Sequence, residues 1–94
     1  MATFDIDETV ICSCEIKDDS GAYKDPTTSM TIKIKQISPI YLEKVASVAM
    51  TKDAVGRYHY DCQTSGYAKG SYQVTYIATD GTRITIEQET FELV

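Results

Sequence analysis

Apolar and polar residues alternate one for one along most of this chain, and that alternation limits what it can fold into. Successive side chains of a strand point to opposite faces, so a period of two sends every second residue into a core. Thr9 to Ile16 puts Val10, Cys12, Cys14 and Ile16 on one face and Thr9, Ser13 and Glu15 on the other. Ser29 to Gln36 faces Met30, Ile32 and Ile34 inward, with Thr31, Lys33 and Lys35 toward water. Arg57 to Cys62 turns Tyr58, Tyr60 and Cys62 inward, and Ser71 to Ala78 does the same with Tyr72, Val74, Tyr76 and Ala78.

Turn chemistry separates these runs. Lys17-Asp-Asp-Ser-Gly21 supplies local side-chain bonds and a residue free to adopt positive φ. Ile37-Ser-Pro39 ends a strand, because proline cannot donate to a central ladder. Lys52 to Gly56 reads as a turn, and Ser65-Gly66 and Lys69-Gly70 bracket a loop containing Tyr67. Asp80-Gly81 between two alternating runs predicts a type I′ hairpin. The inward parity shifts between Ile86 and Phe91, which predicts a bulge or kink near Gln88. Residues 40–50 are read as two short strands, Tyr41–Val45 and Ser47–Thr51. A single helix is the alternative, since Leu42, Glu43, Lys44 and Ala46 are good helix formers.

The result is about seven short strands at roughly 8–12-residue spacing, the pattern of an all-β, immunoglobulin-like antiparallel β-sandwich. It is expected to fill residues 1–94 as one domain, complete at Val94. A compact chain of 94 residues has a radius of gyration of about 12 Å and a thin core. That argues against an internal cofactor cavity or a large enzyme cleft. The formal net charge of −5, with no basic cluster, argues against nucleic acid as a partner. The acidic N-terminus has no secretory leader, and no stretch approaches a membrane helix, so synthesis in a cytoplasm and no membrane insertion are expected.

Cys12, Cys14 and Cys62 make an odd count in a C-x-C arrangement, which reads as three small buried hydrophobes. A disulfide from Cys62 to the early strand and a metal site with His59, the one histidine, are the alternatives. Asp18, Asp19 and Asp25 have the oxygen chemistry of a calcium site but also that of a solvated turn. No catalytic pair, nucleophile with a base, cofactor motif or metal set is assigned.

Two segments share a corner pattern. Asp53-Ala-Val-Gly56-Arg-Tyr58 places an acid, a glycine and a tyrosine ahead of an inner strand residue, and Gly70-Ser-Tyr72 repeats the glycine–tyrosine spacing. Both resemble the tyrosine corner of immunoglobulin domains, where the hydroxyl bonds back to backbone. The chain has no Trp, carries Tyr60 where a framework cysteine would sit, and has one extra residue between acid and glycine, so an antibody-type or receptor-type assignment is unsupported.

Along the whole chain, Asp5 to Val10 (D-x-D-E-T-V), Asp18 to Gly21, Asp25 to Thr28, Thr51 to Asp61, Gly70 to Val74 and Phe91 to Val94 resemble small immunoglobulin-like proteins of tailed-phage and prophage structural regions. The resemblance implies a non-enzymatic virion structural protein, in capsid decoration, head–tail neck or tail. It would be made in the host cytoplasm and bind phage structural proteins or copies of itself. The alternative is a carbohydrate- or cell-surface-binding module using the loop tyrosines Tyr23, Tyr41 and Tyr67, which are good interface anchors.

Overall fold

The computed structural model describes residues 2–94 and contains eight strands among them. They are β1 (Ala2–Phe4), β2 (Thr9–Glu15), β3 (Ser29–Ser38), β4 (Leu42–Ala49), β5 (Thr51–Ala54), β6 (Arg57–Gln63), β7 (Gly70–Asp80) and β8 (Arg83–Leu93). They form a five-stranded sheet in the order β1-β8-β7-β3-β4 and a three-stranded sheet in the order β2-β6-β5. The second and first sheets thus hold the B-E-D and G-F-C-C′ places of an immunoglobulin sandwich. Every pairing is antiparallel except β1 on β8, which is parallel. That short parallel ribbon and β5 are the strands the sequence pattern did not separate.

The alternation decides which faces meet. Val10, Cys12, Cys14, Tyr58 and Cys62 of the small sheet pack on Met30, Ile32, Ile34, Tyr72, Val74, Tyr76, Ala78, Phe91 and Leu93 of the large one. Each fully buried large apolar side chain stabilises the fold by about 1.5–3 kcal/mol. At one end of the core the aromatic rings stack in series. Tyr67 lies 5.6 Å from Tyr72 and Tyr72 5.3 Å from Phe91, centroid to centroid, and Phe4 meets Phe91 edge-on at 6.0 Å.

Within residues 40–50 the regular element is a strand, not a helix. Leu42–Ala49 pairs with β3 as one element. The helix-favouring residues yield because the edge of β3 offers a ladder that an isolated short helix cannot match. The expected division survives as a bulge: Val45 sits opposite Ile34 and Val48 opposite Ile32, so Ala46 and Ser47 together face Lys33, with Ser47 at φ 31°. The chain then crosses to the other sheet, and Thr51–Ala54 is a strand, which shrinks the expected turn at residues 52–56 to Val55-Gly56.

No bulge occurs near Gln88. β7 and β8 pair without a register shift from Gly70 opposite Leu93 to Asp80 opposite Arg83. Because Tyr72, Val74 and Tyr76 are inward, their partners Phe91, Glu89 and Glu87 share that face. Ile84 and Ile86 therefore point outward. The loop is Gly81-Thr82, not Asp80-Gly81. Only Gly81 has positive φ (64°), matching the glycine-first demand of a type II′ turn. Eleven-residue strands at about 3.3 Å per residue span roughly 36 Å. This hairpin accounts for the 39 Å long axis and for a radius of gyration of 13.8 Å, above that of an equally long compact chain.

Gly70 opens β7 where it touches the end of β3. Its φ is 152°, and a Cβ there would lie 2.1 Å from the Ser38 carbonyl oxygen and 2.9 Å from the Gln36 amide nitrogen. Gly70→Ala is expected to destabilise the fold by about 2–4 kcal/mol, combining backbone strain with a backbone clash. Urea unfolding monitored by tyrosine fluorescence measures this; a loss below about 1 kcal/mol would show that the junction yields.

Candidate interaction surface

One end of the sandwich is organised by Asp25. Its Oδ1 accepts the Gly56 N–H at 2.8 Å and the Tyr58 hydroxyl at 3.0 Å, and its Oδ2 accepts Lys52 Nζ at 2.6 Å. The Gly56 amide and then Lys52 hold the carboxyl at about 2, below the ordinary 3.8. Ile16 donates its N–H to the Gly56 carbonyl at 2.7 Å, and Lys24 donates to the Ile16 carbonyl at 3.0 Å. The same loop reaches the long hairpin through Lys24–Asp80 at 3.3 Å, the Thr27 hydroxyl on Asp80, and Gly81 N–H on Thr28 Oγ1 at 3.0 Å.

This geometry redistributes the corner residues. The Tyr58 hydroxyl does not return to backbone at its own corner; it goes to Asp25. Asp53 turns instead to His59 Nδ1, at 2.6 Å. The backbone-returning bond belongs to Tyr72, whose hydroxyl donates to the Ala68 carbonyl at 2.6 Å. Gly56 and Tyr58 thus meet at one end, while Gly70 and Tyr72 lie at the other. The seven residues of β6, about 20 Å, separate these ends.

The acids of the first turn do not converge. Asp18 Oδ1 accepts the Ser20 N–H at 2.9 Å, the Ser20 hydroxyl at 2.7 Å and the Ala22 N–H at 3.1 Å, closing its own turn. Asp25 is committed to Gly56, Lys52 and Tyr58. Among the described residues no three His, Cys, Asp or Glu side chains group as metal ligands. Cys12, Cys14 and Cys62 are buried free thiols, and burial pushes Cys12 up to about 12, Cys14 to about 11, and Cys62 upward as well.

The loop tyrosines are also split. Tyr23, 37% exposed, donates to Glu15, accepts from Arg57 at 2.9 Å, and lies under the Lys17 and Arg57 cations at the Asp25 end. Tyr41, 70% exposed, sits at the opposite end beside Lys35. Tyr67 is also at that end but is half-buried in the aromatic stack, with Lys44 over its ring.

The edge of β8 is left partly open. β1 covers it only from Phe91 to Leu93, so the backbone of residues 83–90 has no neighbour on that side. On the outer face Ile84 is 63% and Ile86 58% exposed, and half-buried Ile77 lies directly opposite Ile86. β2 forms the other free edge on this flank, with Ile11 exposed. An open cleft between the two edges is lined by Val10, Cys12, Glu89 and Phe91. Sequence reading missed the outward isoleucines. Placing the two-residue loop one position later changes the partner of Ile77 from Ile84 to Ile86, but either loop sets both isoleucines opposite outward residues of β7.

Two solution properties follow. Because the folded Asp25 carboxyl titrates below its unfolded value, its stabilising effect is complete above about pH 5 and is lost as pH falls toward 2. Urea midpoints measured from pH 5 to 2 should therefore decline, and Asp25→Asn should flatten that slope; the same slope in the variant would show that Asp25 does not drive it. Ellman's reagent at pH 8 should find no rapidly reacting thiol in the native protein and all three Cys residues after denaturation.

No protein-family model, curated protein or solved structure matches the chain. The functional reading rests on its own residues, above all the open β8 edge.

Proposed function

We propose that this protein is a non-enzymatic structural component of a tailed-phage or prophage particle, in capsid decoration, neck or tail, acting through protein–protein contacts along β8. The observation that carries the reading is the unpaired backbone of residues 83–90 flanked by exposed Ile84 and Ile86. Sandwich proteins ordinarily blunt such an edge with lysine, proline or a bulge. Here the outer face of the free segment carries Ile84, Ile86, Gln88 and Thr90, the register runs straight through it, and the charges Arg83, Glu87 and Glu89 are confined to the inner face. An edge of this kind can accept a strand from a neighbour, giving main-chain bonds for affinity and side-chain contacts for specificity. The motifs from Asp5 to Val94 supply the particle class. The carbohydrate reading has no platform shared by all three loop tyrosines, because Tyr23 lies a strand length from Tyr41 and Tyr67, and Tyr67 is half-buried in the aromatic stack.

The test is incorporation. Particles from the source phage or induced lysogen should carry the chain through gradient purification. The double variant Ile84→Lys/Ile86→Lys, altered only at exposed positions, should fold normally and be depleted at least about tenfold, the effect of roughly 1.4 kcal/mol of lost contact. Absence of the wild-type chain from particles would overturn the assignment.

A further inference from the structure

The free segment of β8 is complementary to itself. Read antiparallel against a second copy, Arg83-Ile84-Thr85-Ile86-Glu87 matches Arg83 with Glu87, Ile84 with Ile86 and Thr85 with Thr85. We propose that two copies of this chain pair edge to edge through β8, about a two-fold axis passing through Thr85 perpendicular to the sheet. This rests on the reading of β8 as the contact surface and names a second copy as its occupant.

The arrangement satisfies each constraint that the edge imposes. A perpendicular two-fold keeps the faces in register only when paired residues have the same parity, and a centre on Thr85 does so. Directly opposite residues in an antiparallel pair have Cβ atoms about 4.5–5.5 Å apart. Ile84 and Ile86 therefore meet their counterparts on the outer face and extend the existing Ile77–Ile86 pair into one apolar strip across both copies. On the inner face Arg83 meets Glu87 twice. Both side chains are exposed, and among the described residues neither has an ion-pair partner within the chain. The fit ends where it must: Gly81 of the second copy falls opposite Glu89, and β1 occupies the edge from Phe91 onward. Shifting the centre to Ile86 would pair Arg83 with Glu89 but leave both Ile84 residues facing Gln88 and Thr85 facing Glu87, so that Glu87→Arg would meet no like charge.

Sedimentation velocity over a concentration series tests this with a charge-reversal cycle. Wild type should show a concentration-dependent monomer–dimer equilibrium. Arg83→Glu or Glu87→Arg alone places like charges opposite each other twice, and should raise the dimerisation midpoint at least about tenfold. The double variant Arg83→Glu/Glu87→Arg should recover to within about threefold of wild type, because only the polarity of each pair is exchanged. Thr85→Lys puts two ammonium groups face to face at the axis and should abolish the dimer, giving a second readout if a charge reversal fails to fold. A chain that stays monomeric at several hundred micromolar, or a dimer indifferent to both single reversals, overturns the pairing. A monomeric chain that still enters particles and is lost on Ile84→Lys/Ile86→Lys overturns self-pairing while leaving the virion role standing. A dimer that obeys the cycle but is absent from particles supports the pairing and removes the role.

Discussion

The register of β7 against β8 is the constraint from which the surface follows. β7 lies between β3 and β8 and sends Tyr72, Val74, Tyr76 and Ala78 into the core. A slip of one residue would turn the paired residues to opposite faces, so the core fixes which face each residue of β8 takes. That register then dictates β8 residue by residue. Phe91 and Leu93 fall beneath the small sheet and are buried, whereas Thr85, Glu87 and Glu89 share their face but remain exposed. Glu89 still accepts the Tyr76 hydroxyl, giving that half-covered face a polar lining. Ile84 and Ile86 are placed outside as a consequence of what β7 buries.

The ends of the sandwich are held by different means. At one end a series of aromatic rings from Phe4 to Tyr67 closes the core, and the Tyr72 hydroxyl fixes the loop before β7 through the Ala68 carbonyl. At the other, the loop from Lys17 to Thr28 is polar and long, and would be loosely held without specific bonds. Asp25 ties it to the β5–β6 turn, while Lys24, Thr27 and Thr28 tie it to the tip of the long hairpin. A carboxylate accepting one backbone N–H, one ammonium and one hydroxyl is strongly stabilised in its ionised form. The low pKa of Asp25 and the fastening of that end have the same origin.

Much of this was legible in the sequence, and the failures share a cause. Periodicity gives faces without knowing partners, so Val10 to Cys14, Met30 to Ile34 and Tyr72 to Ala78 were assigned to the core from alternation alone. The parity of Ile84 and Ile86 looked inward because isoleucine on a strand usually is. Only the pairing with β7 reveals otherwise: a two-residue loop at either Asp80-Gly81 or Gly81-Thr82 sets Ile84 and Ile86 opposite its outward, odd-numbered residues. Tyr58 and Tyr72 share a glycine–tyrosine spacing, yet one hydroxyl finds Asp25 from a distant loop and the other a carbonyl four residues back. Spacing cannot distinguish a local acceptor from one brought in by the fold. Leu42 to Ala46 favours helix locally, and the free edge of β3 overrules it.

An exposed apolar edge carries a cost that bears on why self-pairing would be confined to two copies. A strand edge that accepts any neighbour invites open-ended stacking. An isologous contact closes after one partner, since each copy uses the same patch and none is left over. Pairing at Thr85 joins the two large sheets into one, whose outer limits are the β4 strands. There the bulge at Ala46-Ser47 interrupts the edge and breaks the ladder that a further strand would need. Arg83 and Glu87 add a second restriction: a centre on Ile84 loses both charge pairs, and a centre on Ile86 exchanges them for Arg83–Glu89 while leaving Glu87 opposite Thr85 and Ile84 opposite Gln88. The isoleucines supply attraction without register, the charges supply register with little attraction, and together they specify one closed pairing.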